Sequence, residues 1–262
     1  MKEKLAKTNQ SVEKVFDIIE VLAKGGSPMR LQDIAEKSNI PASTTLRLLN
    51  TLATYGYANQ DPETLRYSLS LKFALIGSVV ASQNNIRNII RPYLFELSKL
   101  SGESCCLAIE EQMEVVYIDS VDGPDSMLTI TQRIGKRAPM HSTGVGKALL
   151  TNYNEEMLTE LVKEKGLVPL TSHTITDLDS LTKELASLRK KRYCLDDEEC
   201  ELGARCIAAP LRDYSGKVIA AVSISGPIVR MSHQKIETLS GTLLSIVDQI
   251  EKHLGFGSLG TR

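Results

Sequence analysis

Residues 31–57, LQDIAEKSNIPASTTLRLLNTLATYGY, decide how the chain is organised. Their spacing predicts two short helices joined by a tight turn. Over 31–38, Leu31, Ile34 and Ala35 share one face at the i, i+3, i+4 interval of a half-buried helix. Asn39 stands where the turn needs a residue that tolerates positive φ; Gly serves best there and Asn next. Ile40 is expected to plug the corner, and Pro41 suits the first turn of a new helix, where a missing N–H costs little. That second helix is predicted over 42–54, burying Leu46, Leu48, Leu49 and Leu52. Ser43, Thr44, Arg47, Asn50 and Thr51 then fall on or beside its outer face. Short hydroxyls, one arginine and an amide on a single helical face suit the phosphates and base edges of a DNA groove. An ordinary helical hairpin with a polar outer face accounts for the same residues without DNA.

Upstream, Ser11 is expected to cap a helix running to about Lys24, with Val15, Ile18, Ile19 and Leu22 as its buried stripe. Gly25, Gly26 and Pro28 end it. Downstream, residues 58–69 (ANQDPETLRYSL) read as two short strands around a loop at 61–64. A hairpin directly after a groove-binding helix is the wing of a winged helix. Arg66 on that hairpin is placed to touch a phosphate, or is a solvated strand charge. Residues 69–81, LSLKFALIGSVVA, are apolar around much of a helical circumference, which predicts burial against another subunit. A further helix is predicted over 86–100.

At 262 residues the chain is long enough for two compact domains, and 42% hydrophobic with 24% charged residues describes an ordinary globular protein. The formal net charge is −1, so no global basic field points to nucleic acid. In residues 1–70, nine lysines and arginines face eight acids. Any DNA contact must come from local placement, helped by pairing of two copies. Five cysteines form no CxxC pair and leave one over, which argues against a disulfide framework and for a reducing cytoplasm. No apolar run is long enough to span a bilayer, and no membrane partner is expected.

After residue 86 the pattern changes to mixed strands and helices, an α+β domain with an antiparallel sheet. Strands are predicted at 104–109, 113–121, 127–132, 205–211 and 218–224, and helices at 155–165, 178–192 and 232–254. Residues 138–150, APMHSTGVGKALL, read as a loop entering a helix. In LDDEECELGARCIAA (195–209), five of the six residues 196–201 are acidic; such a run is usually a solvated loop. Here it leads into a small, apolar strand, so one carboxylate can sit at a cavity mouth. In AAVSISG (220–226), period-2 alternation sets Ser223 and Ser225 on one face and Val222 and Ile224 on the other. With Cys206 and Ala208 beside them, that face is lined by small, weakly polar groups and leaves room for a polar guest. Gly144 and Gly146 at a helix start are expected to offer free N–H groups to a carboxylate, or else merely to permit close packing.

Cys206 with His141 could form a nucleophile and base, but a cysteine inside an apolar strand is more often a small hydrophobe. Cys200, Cys206 and His141 match no usual zinc spacing. Neither catalysis nor a metal or other cofactor is expected. The competing classes are a sensor acting through protein partners and a cysteine-dependent enzyme.

The segments SVEKVFDIIEVLA, LQDIAEKSNIPASTTLRLLNTLATYGY and YSLSLKFALIGS resemble the N-terminal half of the IclR family of bacterial transcription regulators. RIGKRAPMHSTGVGKALL and the long segment 174–227 resemble its C-terminal half, so the likeness covers about residues 11–254. The resemblance implies a three-helix winged helix-turn-helix with a β-hairpin wing (11–70), a linker helix (71–85) and a GAF-like α+β effector domain (86–254). It implies homodimers, often paired into homotetramers, on palindromic operator DNA; both repressors and activators occur in the family, and repressors of catabolic operons are common. The glycine N–H groups and the two serines read above are expected to hold a small organic acid. Carried over residue by residue, effector contacts fall on Gly144, Val145, Asp196, Cys206, Ser223 and Ser225, with an apolar wall of Met127, Ile130, Ala138 and Ala204. Two of those wall positions are alanine, which predicts a pocket roomier than a two- or three-carbon acid needs.

Overall fold

The structure is a computed structural model describing residues 9–83, 86–123, 130 and 132–257. The chain divides into two compact units, Met1–Asn85 and Ile86–Arg262.

The first unit holds α1 (Gln10–Gly25), α2 (Leu31–Ser38), α3 (Ala42–Thr54), strands β1 (Ala58–Gln60) and β2 (Tyr67–Leu69), and α4 (Lys72–Gln83). Asn9, rather than Ser11, caps α1, its side chain accepting from the Ser11 and Val12 N–H groups. Asn39 closes α2 in the left-handed conformation at φ 54°, the geometry the tight turn demands. Pro41 stands one position earlier than expected, as the cap residue of α3. The three helices and Tyr67 of the wing enclose a core of Ile18, Leu22, Ile34, Ile40, Leu49 and Leu52. The buried stripe of α3 differs from expectation, running through Thr45, Leu49 and Leu52 while Leu46 is exposed and Leu48 half-buried. Thr45 tolerates burial because its hydroxyl donates to the carbonyls of Ile40 and Pro41. β1 and β2 pair antiparallel, Ala58 opposite Leu69, and form the wing.

In the second unit, α5 (Ile86–Ser101) leads into β3 (Ser104–Glu111), β4 (Glu114–Val121) and β5 (Arg137–Pro139). Helices α6 (Gly144–Leu149), α7 (Glu155–Lys165) and α8 (Leu178–Lys191) follow, then β6 (Cys194–Asp197), β7 (Ala204–Arg212), β8 (Val218–Pro227) and α9 (His233–His253). The strands form one antiparallel sheet in the order β5-β4-β3-β8-β7-β6. One face packs on α5 and α9 through Leu107, Val222 and Ile224; the other packs on α6 and α8 through Cys106, Ala108, Ala208 and Ala221.

Two short strands were not expected. Residues 127–132 were predicted as a strand, but 127–129 and 131 lie outside the described residues, and Ile130 and Gln132 have no strand conformation. The edge beside β4 is instead β5, with Ala138 paired to Val115, at the start of what reads as a loop. The acidic run likewise begins in a strand, β6, with Asp196 opposite Cys206. Register shifts between Leu107 and Ala108, which pair with Asp119 and Tyr117, so β4 carries one extra residue. The bulge sends Tyr117 into the α6 side while Asp119 pairs with Arg91 and Arg87 of α5.

Candidate functional site

Helix α3 presents Ser43, Arg47, Asn50 and Thr51 to solvent, with Thr44 half-buried beside them. No acidic residue occurs in α3, so nothing within the helix offsets its positive dipole end or the charge of Arg47. Thr51 donates to the Arg47 carbonyl and so serves its own helix. Arg66 lies just before β2, and its guanidinium donates to the Pro28 carbonyl at 3.3 Å, which ties the wing to the loop after α1.

A small cavity lies between the β6–β7–β8–β3–β4 face and α6. Its described lining comprises Gly144, Val145 and Thr143; Cys206, Ser223, Ser225 and Tyr117 from the sheet; and Ile130, Gln132, Lys136, Asp196, Cys200, Glu201, Ala204 and Arg205. Strand register brings the small polar groups together: Cys206 pairs with Ser225, and Ser223 with both Cys106 and Ala208. Of the expected contacts, Gly144, Val145, Asp196, Cys206, Ser223, Ser225, Ile130 and Ala204 all meet here. Ala138 does not; it packs in the core with Val115 and Met140. Met127 lies outside the described residues. The cavity between its described residues measures about 40 Å³. Gln132, Lys136, Cys200 and Glu201 take up part of its wall, and it adjoins an outer groove of about 520 Å³ that shares Ile130, Gln132, Lys136, Glu201 and Ala204.

The two glycines serve differently from a free seat for a carboxylate. The Gly146 N–H is taken by the Thr143 hydroxyl, and a Cβ there would meet the Met140 carbonyl at 2.3 Å, so Gly146 exists for packing. The Gly144 N–H hydrogen-bonds Asp196, and a Cβ on Gly144 would press on Ala208 and Cys206 at 3.1 and 3.2 Å.

Asp196 accepts from the Glu199 and Cys200 N–H groups at 2.9 and 3.3 Å. Burial pushes its pKa up to about 6, against the pull of Lys147 and three backbone N–H groups. Behind it, Lys147 of α6 is completely buried, paired with Glu199 and Glu184 and donating to the Leu195 carbonyl at 2.6 Å. Burial raises Glu199 to about 7, again opposed by Lys147. Sequence reasoning passed over Lys147, although a lone lysine in the small, apolar segment GVGKALL facing a five-acid run was the available signal. It also passed over Tyr117, whose stripe Val115, Tyr117, Asp119 and Val121 alternates in EVVYIDSV.

The cysteine-and-base arrangement does not form a catalytic pair. Burial raises the Cys206 pKa well above its ordinary value and so keeps the thiol protonated. The His141 ring lies 3.1 Å from the Val168 carbonyl. All five cysteines are free, and no metal-holding group of three or more His, Cys, Asp or Glu occurs among the described residues. Among the same residues, no helix is long and apolar enough to cross a membrane.

Both units match one family of known proteins. Residues 11–62 match the IclR helix-turn-helix domain, and residues 78–252 match the bacterial transcriptional regulator IclR C-terminal domain. The chain belongs to the IclR family. It is 32% identical over 252 residues to the transcriptional repressor IclR of Escherichia coli K12, covering 95% of this chain and 91% of that one. The acetate operon repressor of Salmonella typhimurium is also 32% identical, covering 97% and 91% of the two chains. The crystal structure of Thermotoga maritima IclR, at 33% identity, matches with a TM-score of 0.62 over 94% of this chain and 99% of that one. These relatives are transcription regulators and not enzymes. As an IclR-family member, the chain is a helix-turn-helix DNA-binding regulator of transcription with a separate α+β C-terminal domain.

Proposed function

We propose that this IclR-family protein is a cytoplasmic, effector-responsive repressor of a catabolic operon, binding a palindromic operator as a homodimer or homotetramer. Residues 11–70 form the reading head, 71–85 the linker helix and 86–254 the effector domain. Ser43, Thr44, Arg47 and Asn50 contact the groove, and Arg66 lies where the wing meets a phosphate. The effector is a small organic acid held by Gly144, Val145, Asp196, Cys206, Ser223 and Ser225, against Ile130 and Ala204.

The observation that carries this reading is the cavity itself: small residues of β7 and β8 leave a polar-walled space beside α6 within an otherwise packed layer. A ligand held there shifts DNA binding only by binding one state of the protein more tightly than the other.

The test is operator affinity, measured by fluorescence anisotropy on DNA upstream of the protein's own gene, with and without each acid that calorimetry finds bound. The expected outcome is a change of at least about tenfold, or roughly 1.4 kcal/mol of coupling. Identical affinity in every case refutes the switch. Ser223→Ala combined with Ser225→Ala should abolish the response and leave basal DNA binding intact. Arg47→Ala should weaken operator binding by about 1–3 kcal/mol without unfolding the first unit, and unchanged affinity removes Arg47 from the interface.

A further inference from the structure

One polar atom in the cavity wall has nothing to bind. The side-chain oxygen of Gln132, Oε1, is buried and has no hydrogen-bond partner. Folded proteins leave few such atoms, because an amide oxygen removed from water loses bonds that nothing replaces.

Several donors around the cavity are already engaged elsewhere. Arg205 is turned to Asp197 at 2.7 Å and to the Met231 carbonyl at 2.6 Å. Ser225 and Ser223, the proposed effector contacts, stand opposite Cys206 and Cys106 on the sheet. The N–H groups of Glu199, Cys200 and Gly144 point at Asp196. Of the other polar groups in the wall, Asp196 and Glu201 are carboxyls and add acceptors, Thr143 donates to the Pro139 carbonyl, and the donors Lys136 and Tyr117 do not hydrogen-bond the Gln132 oxygen. Gln132 also lines the outer groove, so it stands at the mouth, while Ser223 and Ser225 form the floor on the sheet.

A plain carboxylic acid, ionised, brings only acceptors to this mouth. A hydroxyl on the same acid brings the donor that Gln132 lacks. Resting on the organic-acid reading above, we propose that Gln132 is a selectivity residue. Its amide oxygen accepts from an effector hydroxyl, so the cavity prefers a small hydroxy acid to the same acid without the hydroxyl.

The experiment is titration calorimetry on the full-length protein with two matched pairs, glycolate against acetate and lactate against propionate. The wild-type protein should bind the hydroxylated member of each pair roughly tenfold more tightly. Gln132→Leu should erase that ratio, while Gln132→Glu, which keeps an acceptor in place, should weaken all four acids but preserve it. Gln132→Met serves if circular dichroism shows the leucine variant misfolded. Equal wild-type affinities within each pair overturn the assignment and leave the organic-acid reading standing, as does a ratio that survives both apolar variants. Binding of none of the four acids overturns the small-acid reading, and the assignment with it.

Discussion

At the scale of single residues, the site turns on two groups whose chemistry depends on being buried. Gly146 has two readings in the sequence, anion seat or packing spacer, and the 2.3 Å approach of the Met140 carbonyl decides for the spacer. Gly146→Ala should therefore cost about 2 kcal/mol or more in urea unfolding. Gly144→Ala, which meets the Ala208, Cys206 and Asp196 side chains at 3.1, 3.2 and 3.7 Å and no backbone atom, should cost less. Asp196 makes a prediction of the opposite sign. Its folded pKa stands near 6 against an ordinary 3.8, so across that window the folded chain binds more protons than the unfolded one. Its contribution to stability consequently falls as pH rises from about 4 to about 6. Asp196→Asn keeps an acceptor for the backbone N–H groups and carries no charge. It should therefore be at least as stable as wild type at pH 7.5, by on the order of 1–3 kcal/mol, with the gap closing near pH 4. Thermal unfolding across pH 4–8 checks this, and a variant weaker at pH 7.5 than at pH 4 refutes it. That Asp196 lines a cavity was carried by family resemblance; that its carboxyl is buried follows from β6 pairing with β7, which a run of acids does not advertise.

Among elements, legibility follows length and period. The 13-residue α3 and the 16-residue α1 repeat their apolar stripes often enough to be read, and β8 shows its alternation at Val222, Ser223, Ile224 and Ser225. β5 and β6, of three and four residues, carry too few repeats to register. Thr45 takes the place of Leu46 in the stripe of α3 because a threonine whose hydroxyl meets two carbonyls packs as a core residue. Ties between distant elements left no trace in the sequence. Glu103, just before β3, is 1% exposed and is gripped by Arg230 at 2.9 and 2.7 Å and by Lys235 of α9 at 2.9 Å. Burial works to raise its pKa, but the bonds from Arg230 and Lys235 outweigh it and hold the carboxyl below its ordinary range. A depressed acid stabilises the fold above its unfolded pKa and loses that contribution as pH falls through the folded one. Glu103→Gln should therefore destabilise the second unit by roughly 3 kcal/mol at pH 7, and by progressively less below pH 4. Denaturant titrations at both pH values test it; a penalty independent of pH would assign Glu103 to packing alone.

For the whole molecule, a DNA-binding protein with no net positive charge has to explain how it holds a polyanion. Nine basic residues against eight acids in residues 1–70 leave a single reading head with little attraction for a polyanion. Pairing two heads on one operator doubles the phosphate contacts, so on this account self-association is a condition of tight binding. The first unit has the surface for it: Leu71 is 87% exposed, Leu75 64% and Ile76 40%, all on or next to α4, whose described first turns carry one charge, Lys72. Exposed apolar groups so close together on one short element are the mark of a covered face. Leu75→Glu places a charge in that face and leaves the buried core of the first unit untouched. Sedimentation should show the variant shifted toward smaller species, with operator affinity falling at least about tenfold through lost pairing alone. Its thermal unfolding should stay close to wild type when both are measured at a concentration where the wild type is dissociated. An intact assembly with full affinity would place the pairing surface elsewhere, and a dissociated variant that still binds the operator tightly would show that one head suffices despite its charge.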